Sequence, residues 1–380
     1  MIRALRPSFL VLLALGAACA APSAGGAGGT APAAAASHAG APRLYVPNQD
    51  EATVSIIEPL AGAVVATVNL QDFGFTANAK PHAVVAEPDG SAWYVTLIGD
   101  GAVAKFSRDN RLLGQARMET PGMLALDPRH DRLYASRSMT AVSPPSSVGI
   151  IRRSTMALVD ELDVLLPRPH GIAVDSLSGR LYVSGLGDNR LAVVDTAGRV
   201  ELADVAGPLH AYVTLELAPD GRRLAASTQL TARLLDFDVT GPLPVLRHAV
   251  AVLPFGYQLA WSPDGQSVWL GNQRSGAVTR VDAVTWNVAA ELKDSAFAEP
   301  HGVRVSRDGR TVYVSSHGRQ LEARAPTAVD TMHHGMHAGE GATRAGGTLV
   351  LIDARTGALR QVIPVGRFAT ALGLGGAGRP

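Results

Sequence analysis

Short runs of aliphatic and β-branched residues alternate with polar turns from Arg43 almost to the end of the chain. Typical runs are residues 54–57, 191–194 and 349–352. Each run has the length of a strand, and no helical period persists between them. Asp-Gly pairs between several runs favour tight hairpins, because glycine accepts a positive φ. The pattern predicts an all-β chain. These pairs begin at Asp89, Asp220, Asp264 and Asp308.

A Pro-His phrase returns three times with constant internal spacing. His82, His170 and His301 each follow a proline, and each lies eleven residues before the residue that precedes a Tyr-Val pair. Self-similarity on this scale is typical of stacked or radial repeat folds. Each repeat fits four strands, which we call A to D in chain order. Strand A is predicted to start at Pro81, Pro121, Pro169, Tyr212, Gly256 and Pro300.

The two ends of the repeat region complement each other. The first unit, residues 44–70, contains strands B, C and D but no strand A, and residues 368–374 contain the missing strand. Seven units with this overlap predict a seven-bladed β-propeller over residues 43–375. In this fold the C-terminal strand pairs with the N-terminal blade, which removes a free sheet edge.

The first blade also carries a family resemblance. The stretches LYVPN at 44–48, TVSII at 53–57 and VVATV at 64–68 resemble the YVTN family of β-propeller repeats. The resemblance covers nearly all of residues 43–374 and implies the propeller fold. It selects no function, because the family includes surface proteins, periplasmic binding proteins and many of unknown role. Related seven-bladed propellers bind haem d1 or a copper cluster, and others are lactonases.

Residues 1–19 have the features of a lipoprotein-type signal peptide. Arg3 and Arg6 form a basic start, and residues 9–15 form an apolar stretch too short to span a bilayer. The following LGAAC resembles a bacterial lipoprotein signal, with Cys19 lipidated and attached to the membrane. Ordinary cleavage after Ala20 is the alternative, and both predict export to the periplasm or cell envelope. Residues 20–42 are almost wholly Ala, Gly, Pro and Ser, which predicts a flexible linker.

Composition excludes several classes of function. Cys19 is the single cysteine of the 380-residue chain, so the propeller has no disulfide, thiolate metal site or catalytic thiol. The net charge is +1, and no block of Lys or Arg occurs beyond the first six residues, so nucleic acid is not an expected partner. The motifs GxSxG, HExxH and GxxxxGK[ST] are absent as well.

Propeller topology places the start of strand A and the B–C turn at the same mouth of the axial channel, with strand A innermost. The residue at the His82 position can be found in every blade from the spacing. Three imidazoles and one phenol are therefore expected around this mouth. The full set is His82, Gly122, His170, Val213, Tyr257, His301 and Thr370, and His210 and His317 are expected at the same mouth.

The B–C turn of the last blade is an insertion, residues 318–346, which contains Met332, His333, His334, Met336 and His337. By topology it lies over the mouth that carries the histidines. Imidazole binds copper, zinc, nickel and iron, whereas the thioether of methionine selects for copper, especially Cu(I). We therefore expect a metal ion as the ligand, copper first and zinc second, held by the clustered histidines and covered by the insertion.

Other interpretations remain open. The Pro-His residues are also compatible with a structural role at the blade entrances, and the insertion with a solvated loop. A lactonase-like hydrolase would use the same mouth, and a haem d1 protein, a less favoured choice, would do so too. Tyr257 is the candidate contact for such a cofactor. A non-catalytic scaffold would instead bind a protein partner on this face.

Overall fold

The computed structural model describes residues 40–137, 145–319 and 345–376. These residues form seven four-stranded antiparallel sheets. No helix within these three ranges is long and apolar enough to cross a bilayer. The predicted all-β, seven-bladed propeller is confirmed. The predicted signal peptide, the predicted linker up to residue 39 and most of the insertion, with Met332, His333, His334, Met336 and His337, lie outside the described residues.

The first four blades follow one another along the chain, and each innermost strand is strand A. Blade 1 contains β1 (Arg43–Asn48), β2 (Thr53–Glu58) and β3 (Ala63–Asn69). Blade 2 contains β4 (Pro81–Ala86), β5 (Ala92–Leu97), β6 (Ala102–Ser107) and β7 (Leu112–Arg117). Blade 3 contains β8 (Pro121–Asp127), β9 (Arg132–Arg137), β10 (Ser147–Arg152) and β11 (Ala157–Asp163). Blade 4 contains β12 (Pro169–Asp175), β13 (Arg180–Gly185), β14 (Leu191–Val194) and β15 (Val200–Ala203).

The remaining blades have the same order. Blade 5 contains β16 (Tyr212–Leu217), β17 (Arg223–Thr228), β18 (Arg233–Asp238) and β19 (Val245–Ala251). Blade 6 contains β20 (Gly256–Trp261), β21 (Ser267–Asn272), β22 (Ala277–Asp282) and β23 (Asn287–Lys293). Blade 7 contains β24 (Pro300–Val305), β25 (Thr311–Ser316), β26 (Gly347–Asp353) and β27 (Leu359–Val365). The closing strand is β28 (Gly373–Gly375), and three 3-10 turns cover Gln49–Glu51, Leu70–Phe73 and Gln273–Ser275.

The ring closes as the sequence predicts, through a shorter strand. β28 pairs antiparallel with β1, with Gly373 opposite Tyr45. The predicted strand over 368–374 is interrupted between the isolated bridge that joins Ala369 to Asn48 and the start of β28. Within this gap the main-chain N–H of Thr370 donates to the Pro47 carbonyl of blade 1 at 3.0 Å, and its hydroxyl donates to the His82 carbonyl of blade 2 at 2.8 Å.

The core lies in apolar layers between neighbouring blades. Between blades 1 and 2, Tyr45, Trp93 and Phe106 stack with ring centroids 5.3 and 4.4 Å apart, and all three are fully buried. Aromatic stacks of this kind add to the large apolar area that each ring removes from water. The sheets are therefore held rigidly side by side, which fixes the inner ends of the strands A.

A repeated backbone device sets the mouth of the channel. In blades 2 to 7 the residue before strand A has a positive φ, and Phe368 has one at the start of the closing segment of blade 1. This conformation costs an L-residue about 1–2 kcal/mol. The carbonyl of the positive-φ residue accepts a hydrogen bond of 2.9–3.2 Å from the residue after strand B, in six of the seven blades. The strain is therefore tied to a specific contact. The positive-φ residues are Lys80, Thr120, Arg168, Ala211, Phe255, Glu299 and Phe368.

Replacing Thr120 by glycine should stabilise the protein. Thr120 is β-branched at φ 47°, and its buried hydroxyl has no hydrogen-bond partner in the described part of the chain. Thr120→Gly should raise the free energy of unfolding by about 1 kcal/mol, measured by denaturant titration. Thr67→Gly, on an exposed strand position, should lower it by a similar amount. A lower stability of Thr120→Gly would contradict the strain.

Candidate functional site

The second residue of strand A is turned towards the mouth by a break in the strand pairing. In β4, β12 and β24 the register shifts directly after Pro81, Pro169 and Pro300, as in a β-bulge. Bulges re-aim side chains, and they are common at functional edges. The residues placed this way include His82, His170 and His301, whose side chains are at most 1% exposed.

His301 lies at the centre of a group of aromatic rings. Its ring centroid is 5.7 Å from that of His82, 4.9 Å from that of His317 and 4.8 Å from that of Tyr257. His317, which follows β25, stacks on Phe368 at 3.9 Å. The structure therefore brings together residues from blades 2, 6 and 7 that are far apart in the sequence. We call His82, His170, His301 and His317 the imidazole cluster.

His170 is included in the cluster because of its electrostatic interaction with His301. Its Nδ1 lies 2.6 Å from the Val213 carbonyl, which can only accept, so Nδ1 carries the proton and Nε2 the lone pair. Burial lowers the pKa of His170 to about 4, against the opposing effect of the hydrogen bond to Val213. A positive charge on His170 would lower the pKa of His301, so the two rings interact electrostatically.

His210 lies on the same side of the molecule but outside the cluster. Its Nδ1 lies 2.8 Å from the Thr231 hydroxyl in the B–C turn of blade 5, and its ring contacts Tyr212 at 5.5 Å. No ring contact joins it to the imidazole cluster among the residues described. The contact with this B–C turn agrees with the predicted position of His210 at the mouth, and its role as a metal ligand stays a prediction.

Both ends of the insertion lie at this mouth. The Arg319 carbonyl accepts a hydrogen bond of 3.0 Å from Ala345, directly after His317. The insertion therefore leaves and re-enters the fold beside the imidazole cluster, as topology predicts. Its five Met and His candidates are outside the described residues, so their proposed role as ligands stays a prediction.

Three buried glutamines, absent from the sequence-based candidates, complete the mouth. Gln49, Gln229 and Gln273 each follow strand B of their blade and are 3–6% exposed. Their amides face His82 at 3.1 Å, the Tyr257 hydroxyl at 3.4 Å and His317 at 3.2 Å. The signal in the sequence was the repeated Asn-Gln pair at 48–49 and 272–273. By itself, an Asn-Gln pair predicts an ordinary turn, because the histidine that the glutamine contacts belongs to the neighbouring blade.

The environment keeps the central ring uncharged. Burial lowers the pKa of His301 well below its ordinary value, and the positive charge that His317, His82 or His170 carries when protonated lowers it further. Burial also raises the pKa of Tyr257, so its hydroxyl stays protonated. Neither ring nitrogen of His301 has a hydrogen-bond partner among the described residues. A buried polar group of this kind normally has a partner, so His301 has the character of a ligand-binding side chain.

Two pairs of imidazole rings have a spacing at which both members could bind the same ion. Two imidazoles on one tetrahedral ion, with bonds of about 2.0 Å, have ring centroids roughly 5 Å apart. The pairs His82–His301 and His301–His317 have separations close to this value. No group of three His, Cys, Asp or Glu in the three described ranges is arranged to hold one ion as it stands. A third ligand would require a side-chain rotation or a residue outside these ranges.

The buried neutral histidines should make the metal-free protein acid-sensitive. Between pH 6.5 and about 4 the unfolded chain protonates His170 while the folded protein does not. The free energy of unfolding should therefore fall as pH falls through this window. The slope is about 1.4 kcal/mol per pH unit for each histidine kept neutral. Urea titrations at several pH values measure it.

His170→Asn should show a shallower slope than the wild type. The control is Gln115→Leu at an exposed position of β7, which removes no titratable group and should keep the wild-type slope. Stability that is constant over this pH range in the wild type would contradict burial of uncharged imidazoles.

Comparisons with known proteins support the fold and leave the function open. No family model matches the chain. An uncharacterised protein of Salmonella typhi, YncE, is 24% identical over 276 residues, which is 69% of this chain and 74% of that protein.

Solved structures share the architecture at low identity. A functionally unknown protein from Desulfotomaculum acetoxidans has a TM-score of 0.68 at 10% identity, over 88% of this chain and 99% of that one. A Bacteroides fragilis protein with the provisional name 6-phosphogluconolactonase has a TM-score of 0.63 at 13% identity, over 88% and 98%. The dihydro-haem d1 dehydrogenase NirN has a TM-score of 0.57 at 14% identity, over 87% and 74%. The chain is thus similar to propellers of different function, and the fold alone does not select one.

Proposed function

We propose that this protein binds a late first-row transition metal ion at the mouth of its channel, copper first and zinc second. The observation that carries the proposal is His301, a fully buried and uncharged imidazole whose two nitrogens have no partner among the described residues. Two further imidazoles of the imidazole cluster lie at separations suited to sharing an ion with it. Neutral imidazole is a strong ligand for copper and zinc.

The ligand set would be His82, His170 and His301, with His317 as a fourth candidate. His82 and His170 each have Nδ1 next to an oxygen acceptor, which leaves the lone pair on Nε2. Histidines that bind metals usually donate their other nitrogen to such an acceptor. Because burial lowers the pKa of His170 and of His301, an ion would not have to displace protons from these two rings at neutral pH. The bound ion would supply a positive charge, which these neutral ligands lack.

The choice between copper and zinc depends on the insertion. The imidazole cluster and the nearby Glu299 offer nitrogen and oxygen ligands, which both metals accept. Met332 and Met336 would add thioethers, which favour Cu(I). With the export signal of residues 1–19, this set suits capture and transfer of a metal in the cell envelope, with attachment through Cys19.

Two enzymatic alternatives are supported by the fold comparisons. One is a lactonase-like hydrolase, which would use the same mouth, and the other is a haem d1 protein. Tyr257 would then contact the substrate or cofactor. Visible absorption bands in the purified protein would favour haem d1, and lactone hydrolysis that His301→Gln abolishes would favour the hydrolase. Metal-free protein with neither property would favour a scaffold that binds a protein partner.

His301→Gln should weaken binding of Cu(I) and Zn(II) by roughly 100-fold or more, because the shared ligand of the cluster is lost. The measurement is chelator competition on tag-free protein, with elemental analysis of the protein as purified. His248→Gln, on the outermost strand of blade 5, is the matched control and should bind as the wild type does. Equal affinities of His301→Gln and wild type, or a wild type that binds neither ion, would overturn the proposal.

Substituting Met332 and Met336 together by leucine should lower the affinity for Cu(I) by about tenfold, since only the soft thioethers are removed. The affinity for Zn(II) should stay within about twofold of the wild type, because zinc does not depend on thioether ligands. Competition with a chromogenic chelator for each ion measures both values. An unchanged Cu(I) affinity would exclude these methionines from the site.

A further inference from the structure

We infer that Gln49 and Gln273 are positioning residues, which fix the ring nitrogen that His82 and His317 direct towards His301. The inference rests on the proposed function, because it concerns the same imidazole cluster. Neither glutamine contacts His301 in the described contacts. Their effect passes through the imidazole of the next blade.

The two glutamines are delivered by the same turn. Gln49 and Gln273 open the 3-10 turns of blades 1 and 6. The preceding residues, Asn48 and Asn272, have φ, ψ of −107°, 91° and −110°, 91°. Each turn ends in a left-handed residue, Ala52 or Gly276. Two B–C turns of different sequence thus adopt one geometry.

The asparagines hold these turns in place. The Asn48 amide donates to Thr53 and Ser55, both at 2.9 Å. The Asn272 amide donates to the Leu253 carbonyl at 2.7 Å and its oxygen accepts from the Thr279 hydroxyl at 2.6 Å. The main-chain N–H of each following glutamine is bound by the positive-φ residue of its own blade. The backbone that carries each glutamine side chain is therefore held by the hydrogen bonds of the preceding asparagine side chain and by the main-chain hydrogen bond of the glutamine itself.

At His82 the consequence is a single tautomer. Gln49 Oε1 lies 3.1 Å from His82 Nδ1, and both residues are buried. An amide oxygen only accepts, so Nδ1 carries the proton and the lone pair is on Nε2. The amide nitrogen of Gln49 would give the opposite result, so the orientation of this amide decides which nitrogen of His82 can bind an ion.

At His317 a second group competes with the amide. His317 Nδ1 lies 3.2 Å from Gln273 Nε2 and 3.4 Å from Glu299 Oε2. The amide nitrogen requires Nδ1 to accept, and the carboxylate requires Nδ1 to donate. These two neighbours thus favour opposite tautomers of His317, whereas the Gln49 oxygen favours one tautomer of His82. This difference makes His82 the cleaner position for a test.

The experiment is imidazole NMR on selectively ¹⁵N-histidine-labelled metal-free protein, followed by Cu(I) and Zn(II) affinities. The wild type should show His82 with the proton on Nδ1. Gln49→Leu removes the acceptor and should shift His82 towards the Nε2–H tautomer, with ion affinity lower by about 10–100-fold. Gln49→Glu keeps an acceptor oxygen at the same distance along the side chain and should restore the Nδ1–H tautomer of His82. Gln115→Leu, exposed on β7, is the control and should match the wild type.

The two proposals can fail separately. If wild-type protein binds no ion, the proposed function fails, while the NMR spectra of Gln49→Leu and Gln49→Glu still test the positioning role. A His82 tautomer that is unchanged in Gln49→Leu would overturn this inference even if the ion affinity fell. Should Gln49→Leu not fold, Gln49→Met removes the same acceptor with an unbranched side chain of similar length.

Discussion

The hydrogen bond between the residue after strand B and the positive-φ residue before strand A is the constraint on which the mouth depends. It occurs in six blades with almost the same length. It couples two positions that are otherwise independent, the second residue of strand A and the first residue of the B–C turn. Whatever side chains occupy them are brought to the channel mouth in fixed relation. The energetic cost of the left-handed backbone is offset by this contact and by the packed blades.

Buried polar side chains occupy many of these positions. Strand A contributes His82, His170, Tyr257 and His301, and the turn position contributes Gln49, Gln229, Gln273 and His317, whereas blades 2 and 4 have Ile98 and Leu186 at the turn position. The polar groups are buried, so each must find a partner or remain costly. His301 has none among the described residues, and its low pKa keeps it neutral rather than charged. A bound cation would give a ring nitrogen of His301 the partner that it lacks among the described residues.

The sequence predicted where the strands begin better than it predicted which side chains contact one another. All six complete blades begin strand A at the predicted residue, because the spacing of Pro-His and Tyr-Val directly reflects strand length. The closing strand is shorter than predicted, since regular pairing with β1 stops after Ala369 and resumes only at Gly373, and sequence spacing carries no information on such a gap. Gln49 and Gln273 were missed because they act on the neighbouring blade. The bond between His210 and Thr231 is another contact that only the folded chain defines.

The most direct test is anomalous diffraction from crystals of the protein loaded with Cu or Zn, recorded at the absorption edge of each metal. The account predicts one strong peak at the channel mouth, at about 2 Å from ring nitrogens of His82 and His301. A peak on the insertion alone, at the outer strands, or nowhere in the crystal would contradict the claim that the buried imidazoles form a metal site.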